Sequence, residues 1–371
     1  MRYEADMIVA LTLMLTTQSP MQAVAQDYLE ALFQYAPSQA AVAGYHKHDV
    51  DRRLDDLSAT SRQKRLGWLR TFSDRLEGLP AAALEREDEA DRELLRQQLK
   101  LERLDLEEAH DYARRCDQPL DTLGNIFFTM VAREYAPLDK RAADAVARLA
   151  EVPRYLTQAR AQLTANVPEF RAAAKDDGEG VLEFFDELAK AFAKSSSAAQ
   201  LGKVLPPARQ AVRDYLAFVD GELAKRPAES FRYGKRLYDL RFGPYLQTDR
   251  TPAEVLAAAR RRMAEVKTEM ARLAQGIVGK PDIRAALDKV ATDHPPAAQL
   301  FATVREALAR ATAFVRDKQL MTLSAHDNLK VVETPPFMRS QYGVAAFDGA
   351  PPLQPELEGF FYVTPFPANW P

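Results

Sequence analysis

The sequence holds one cysteine in 371 residues, Cys116, which excludes an intrachain disulfide and any all-cysteine metal site. Glycine is scarce at 15 residues and alanine is plentiful, a balance that favours helix over sheet. Neither sign of charge dominates. The 50 Lys and Arg face 53 Asp and Glu, a formal net charge of -3, so nothing draws the chain toward nucleic acid or an anionic membrane. No apolar run approaches the ~20 residues that a bilayer span needs, so no membrane span is expected. The five histidines, His46, His48, His110, His294 and His326, include no pair at the i,i+4 spacing of a zinc-binding helix. No glycine-rich phosphate loop, Gly-x-Ser-x-Gly elbow or kinase-like signature occurs. What is present is 47% hydrophobic and 28% charged, the composition of a folded chain with a sizeable core.

Helical periodicity dominates. Val212, Tyr215, Leu216, Val219 and Leu223 share one face of a helix expected to begin near Pro206-Pro207. Val255, Ala259, Met263, Val266, Met270 and Leu273 do the same after Thr251-Pro252, where Thr suits an N-cap and Pro the first helical position. A third stripe, Leu300, Val304, Leu308, Ala311 and Val315, follows Pro295-Pro296. Glu87 to Ala113 reads as one long charge-rich helix, and Asp139 to Ala165 as another, bent at Pro153. The punctuation between them is short, and no period of repetition is visible. The expectation is a mainly α fold: a leader over 1–25, one multi-helix body over 26–320, and a small sheet begun over 321–371.

The leader is read from Ile8 to Leu15, an apolar run too short for a bilayer, and from Ala23-Val24-Ala25, which has the small-x-small form of a cleavage site after Ala25. Glu4 and Asp6 beside Arg2 deny it the usual positive excess, so a helix that simply begins the fold is the other reading. Export to the periplasm or beyond follows from the first reading, a cytoplasmic place from the second.

Isolated motifs are weak. Glu107-x-x-His110 has di-metal spacing but no second copy, and a surface pair on a charged helix accounts for it better. His46-x-His48-Asp49 falls in the loop after a short helix that Gly44 would cap, and Asp49 to Asp56 reads as a solvated charge cluster. Cys116, beside Arg114 and Arg115, could be an activated thiol, yet no histidine stands at a recognisable spacing to serve as its base.

The C-terminal fifty residues differ from all that precedes. Leu329 to Glu333, Tyr342 to Phe347 and Phe360 to Thr364 cluster β-branched and aromatic residues between Pro, Gly and Asp, the pattern of strands in a small antiparallel sheet. The order Thr-Leu-Ser, Asp327-x-Leu329-x-Val331, Pro335-Pro336-Phe337, Ala345-Ala346-Phe347 and Phe361-Tyr362-Val363 resembles the bacterial family called domain of unknown function 885. Gly234 to Tyr238, Thr248 to Glu254 and Tyr28 to Asp56 match its order as well, so the resemblance covers Gln26 to Pro371.

That resemblance implies a predominantly helical, often exported protein related to gluzincin-like zinc metallopeptidases. The family's His-Glu stretch, followed by Pro-Gly-His, would come just after Trp370-Pro371, so the chain is expected to be a fragment cut short before its zinc and general-base residues. It should be inactive alone, with zinc and a peptide substrate belonging to the complete protein. In such peptidases a substrate adds as a strand to an exposed sheet edge. By resemblance, Tyr342, Ala345, Ala346, Phe347 and Tyr362 are the expected substrate-binding residues, with Tyr342 or Tyr362 donating to a developing oxyanion. An ordinary core strand is the competing reading of Gly343 to Phe347, and replacing Ala346 with Pro would separate the two. The rival for the whole chain is a non-catalytic helical binding or scaffold protein. The exposed edge and Phe360, Phe361, Tyr362, Val363, Phe366 and Trp370 bear on it, because a finished protein covers such a face.

Overall fold

Ser19 opens the first helix, α1 (Pro20–Tyr35), with a reciprocal capping box: its hydroxyl accepts from Gln22 N, and the Gln22 side chain accepts from Ser19 N. In this computed structural model, residues 19–80, 84–323, 328–339 and 342–366 are described. Most of the expected leader, residues 1–18, and Trp370 lie outside them. The run Ala23-Val24-Ala25 lies within α1, where Val24 and Ala25 are buried together with Met21. A cut after Ala25 would remove the cap and three core side chains.

The helices that follow are α2 (Pro37–Ala43), α3 (Ala59–Glu77), α4 (Arg86–Leu104), the short α5 (Asp111–Arg114), α6 (Gln118–Ala132), α7 (Leu138–Gln162), α8 (Pro168–Ala191) and α9 (Ala198–Gly221). Next come α10 (Lys235–Leu246), α11 (Pro252–Val278), α12 (Ile283–Val290) and α13 (Leu300–Asp317). Three strands close the order, β1 (Leu329–Glu333), β2 (Ala345–Asp348) and β3 (Gly359–Val363). The fold is mainly helical with a small sheet near the C-terminus.

The chain divides into two compact units. One comprises Met1–Gly234 with His326–Pro365, the other Lys235–Ala325 with Phe366–Pro371. The first holds two cores. α1 to α4 enclose Tyr28, Phe33, Leu69, Phe72 and Leu95, while α6 to α9 enclose Leu123, Phe127, Leu149, Tyr155, Phe185 and Val212. α7 packs on α9, and α6 and α9 both pack on α8. In the second unit α11 packs on α12, but among the described residues α11 buries only Ala274, α12 only Ala286 and α13 none.

Several expectations are modified. The charge-rich helix stops at Leu104, passes through a wider turn over Asp105–Ala109, and breaks at His110, which has φ 51°. Glu107 and His110 therefore share no regular helical face, and Glu107 pairs with Arg70 and Arg103. The helix expected to begin at Pro206-Pro207 runs through them from Ala198. These prolines leave the Gly202 and Lys203 carbonyls without helical donors, and all four residues are exposed, so water can serve instead. The sheet is mixed, not purely antiparallel. Its order is β1-β3-β2, with β3 parallel to β1 and antiparallel to β2. The chain reverses twice, so the third strand runs with the first and takes the place between the other two.

Candidate functional site

The sheet is seated on the helical body by a side chain that enters a notch with no room for a Cβ on its floor. Pro336–Met338 forms a single 3₁₀ turn, and Phe337, 1% exposed, enters a notch between α6 and α8 floored by two glycines. A Cβ on Gly124 would lie 2.5 Å from Phe337 Cδ2, and one on Gly180 would lie 2.5 Å from Phe337 Cα. Real Cβ atoms essentially never come that close, so these glycines are required by approach rather than by backbone angle. Around the notch Phe128 meets the rings of Phe184, Phe337, Phe360 and Tyr362 at 6.0 to 6.1 Å between centroids. Each such pair adds about 0.5–1.5 kcal/mol beyond burial.

Arg133, which follows α6 and is itself buried, ties the β2–β3 hairpin to the body. It donates to Glu358 O at 2.7 Å, Gly349 O at 3.0 Å and Asp348 Oδ2 at 2.8 Å. Its guanidinium also lies 5.1 Å over the Phe360 ring. Two loop carbonyls and one carboxylate thus share one planar donor.

A second joint uses the histidine of the His-x-His run. His46 Nδ1 meets the Asp51 carboxylate at 2.9 and 3.0 Å, and Nε2 meets Gln354 Oε1 at 2.9 Å. Tyr135 stacks on the imidazole at 4.3 Å with 6° between planes. Leu353 N donates to Ala43 O at 3.0 Å, and Gly44, at φ +76°, ends α2 where a Cβ would sit 2.9 Å from Pro351. Both ring nitrogens are engaged within the protein, so His46 joins the hairpin loop to α2 and serves no open site. His48 bonds Glu30 at 2.7 Å.

The acidic run over 49–56 is not solvated throughout. Asp51 is 3% exposed, and Asp55 accepts from Ser38 N and Oγ at 2.9 and 2.6 Å. Burial raises the Asp55 carboxyl above its ordinary value against the pull of Ser38, Arg148 and Arg154. One face of α7 gathers the segment. Arg148 donates to Arg53 O and Val50 O, Glu151 accepts from Leu54 N, and Gln158 accepts from Leu57 N. Spacings of three and seven residues bring these side chains onto one face of the helix.

Within this frame β2 is an edge strand. It pairs with β3 through Ala345 to Val363, Ala346 to Tyr362, Phe347 to Phe361 and Asp348 to Phe360, and among the described residues no strand pairs on its other side. Thr364 N donates to Val344 O at 2.9 Å, which fixes 344–364 as a hydrogen-bonded pair. Antiparallel ladders alternate, so the main-chain groups of Ala346 turn inward to Tyr362 while those of Ala345 and Phe347 face the free edge. The strand starts three residues later than Tyr342, because Gly343 and Val344 form the bend that leads into it.

The expected substrate residues therefore separate. Ala345 and Phe347 are exposed, Ala346 and Tyr362 are buried, and Tyr342 is half-buried, stacked on Tyr362 at 6.2 Å. Tyr362, 1% exposed, has no hydrogen-bond partner of ordinary geometry for its Oη. Burial, and then the Asp348 carboxylate, raise its pKa, so the hydroxyl stays protonated and keeps a proton to donate. Its ring lies among Phe128 and Phe360, away from the free edge. Tyr342 is the more accessible of the two phenols.

Two other places offer less. A groove of about 470 Å³ is lined by Glu30, Tyr35, Lys64, Arg65 and Trp68, but Arg65 is held by Glu102 and stacked 3.9 Å over Trp68, so its guanidinium is engaged within the protein. Cys116 is wholly buried, and burial, with Asp117 beside it, pushes its thiol up to about 12. Arg115 pairs with Asp117 and does not activate it. Among the described residues no three His, Cys, Asp or Glu side chains converge to hold a metal, and those residues do not furnish a zinc site.

Comparison with known proteins agrees with this architecture. A family model described as a bacterial protein of unknown function (DUF885) matches residues 37–371. No curated protein matches. A solved structure from Shewanella oneidensis, described as a lipoprotein candidate of unknown function, superimposes with a TM-score of 0.72 at 22% identity over 95% of this chain. One from Colwellia psychrerythraea, also described as a lipoprotein candidate, gives 0.62 at 15% identity over 94%. The fold is shared. This chain spans only about two thirds of each, 66% and 68% of their lengths.

Proposed function

The chain belongs to the DUF885 family of bacterial proteins of unknown function, and on that premise we propose that it is the substrate-holding portion of an exported zinc-dependent peptidase. The observation that carries this reading is the free edge of β2, where the main-chain groups of Ala345 and Phe347 await a partner strand. An extended peptide laid there would gain backbone hydrogen bonds, and the small Ala345 would let it approach closely. Arg133, Phe337 and His46 hold that edge on a rigid body, which is what a recognition strand needs. The longer relatives leave room for the segment expected to bring the metal and the general base. Among the described residues no His, Cys, Asp and Glu side chains gather to hold a metal, and on this reading the chain alone is inactive.

Export is supported by the description of both structural relatives as lipoprotein candidates. Among the described residues no helix is long and apolar enough to cross a membrane. On this reading any leader ends before Ser19, since α1 needs its cap. N-terminal sequencing of secreted protein gives Ser19 or an earlier residue; a mature end at Gln26 would overturn this placement.

The ladder register decides how to test the edge. Proline at 346 would break the bond to Tyr362, whereas proline at 347 removes only an outward N–H. Phe347→Pro in the complete gene product should lower peptide kcat/KM by about tenfold or more, the loss of at least one strand hydrogen bond. Phe347→Ala, which keeps the N–H, reports the part due to the ring. Unaltered turnover in a folded Phe347→Pro variant would sink the proposal.

A further inference from the structure

We propose that the free edge of β2 selects extended peptides that place a large apolar side chain, best an aromatic one, beside Phe347. The inference rests on the reading of that edge as a peptide-binding strand and names the peptides it prefers. Residues paired across neighbouring strands share a face of the sheet. Phe347 is paired with Phe361, and Phe361 with Val331. One row therefore runs Val331, Phe361, Phe347 across the three strands, on the face opposite Ala346 and Tyr362. Val331 and Phe361 are half-buried, whereas Phe347, at the end of the row, is 56% exposed. A peptide strand added to β2 supplies the fourth place in the row, where its side chain would lie against the Phe347 ring.

Two further observations favour an apolar side chain there. Among the described residues of the first unit, the large apolar side chains left exposed are Phe231, Leu329, Val344 and Phe347, and the last two stand on or beside β2. The charges of the three strands are already matched. Lys330 pairs with Glu358, Glu333 with Arg339 and Asp348 with Arg133. The edge thus holds no spare counter-ion, and a charged side chain covered there would lose water without gaining a partner. An aromatic ring loses little water and gains the face or edge of Phe347, one of the stronger cross-strand pairings.

Titration of the 371-residue chain with capped peptides of the form Thr-Thr-Xaa-Thr-Thr reads the preference, since a single apolar guest in a polar host sets its own register. The peptide with Xaa Phe should bind about threefold or more tightly than that with Ala, and those with Glu or Lys no better than Ala. Phe347→Thr keeps the outward N–H and removes the ring, so the ratio of Phe to Ala affinities should fall to about one. Phe347→Tyr restores a ring and should restore the ratio. The position is exposed, so both variants should fold. Equal binding of all four peptides to the unaltered chain overturns the inference and leaves the peptide-binding reading in place. So does tighter binding of the Glu or Lys peptide, or a Phe preference that survives in Phe347→Thr. Failure of all four to bind removes the inference together with that reading.

Discussion

The two units are made from the same material and differ in what their apolar faces meet. Up to Gly234, helical stripes such as Val212-Tyr215-Val219 and Leu149-Val152-Leu156 close on one another and on the sheet until scarcely any is exposed. From Lys235 to Ala325, stripes of equal regularity leave Leu256, Met263, Leu273 and Phe314 about half exposed. Periodicity specifies a helix and which side of it is apolar. It does not specify the partner, which comes from elsewhere in the chain or from outside it.

The sharpest contrast comes from truncating one large side chain in each unit. Phe337→Ala should cost about 3–5 kcal/mol, as for buried aromatics generally, and release the sheet from the Gly124–Gly180 notch. Met263→Ala should stay within about 0.5 kcal/mol, as for exposed sites. Paired urea titrations of the two variants check this, and equal losses would erase the distinction between the units.

Next in size is the clamp. Arg133→Met keeps the stem of the side chain and strands Asp348 and the carbonyls of Gly349 and Glu358. Removing one partner of a largely buried ion pair costs about 3–5 kcal/mol at the buried limit. Asp348 is 46% exposed, so screening lowers this to about 1–3 kcal/mol. The same titration measures it, and a loss below about half a kcal/mol would show that water replaces the clamp.

Cys116 gives a chemical version of the contrast. With its thiol pushed up to about 12 by burial, it should resist alkylation at pH 8 in the native chain and react fully in denaturant. Rapid native labelling would mean that the first unit opens readily.

The smallest effect concerns pH. Burial, with Asp88 and Glu87 nearby, raises Asp91 to about 6. A carboxyl whose folded value lies above its unfolded one penalises the folded state once ionised. Stability should therefore fall as pH rises from about 4 to 6 and then level off. Asp91→Asn should gain a few tenths of a kcal/mol at pH 7 and nothing at pH 4, a modest figure because the group is substantially exposed. A gain at both pH values would assign the effect to something other than ionisation.

How much of this was legible in the sequence depended on range. Local rules held: Thr251-Pro252 starts α11 with a capping box, Gly44 ends α2 in the left-handed region, and the three strands fall close to their expected places. What composition alone misread was set by distant partners. Asp51 and Asp55 look solvated until Arg148, Arg154 and Ser38 are brought to them. The register that turns Ala345 and Phe347 outward depends on β3, and Arg133 carries no local mark of its role. The pairing of Gly124 and Gly180 with Phe337 joins three segments that no spacing rule connects. Of the five expected substrate residues, strand alternation divides the set into two faces, a division that needed the register.

The free edge of β2 is the centre of the functional account, and amide hydrogen exchange at single-residue resolution tests it most directly. The 371-residue chain would be followed with and without a mixture of short capped peptides. The account predicts that the amides of Ala345 and Phe347 slow by about tenfold with peptide, while that of Ala346, already bonded to Tyr362, does not change. Equal exchange at all three positions in both conditions would contradict a peptide-binding edge.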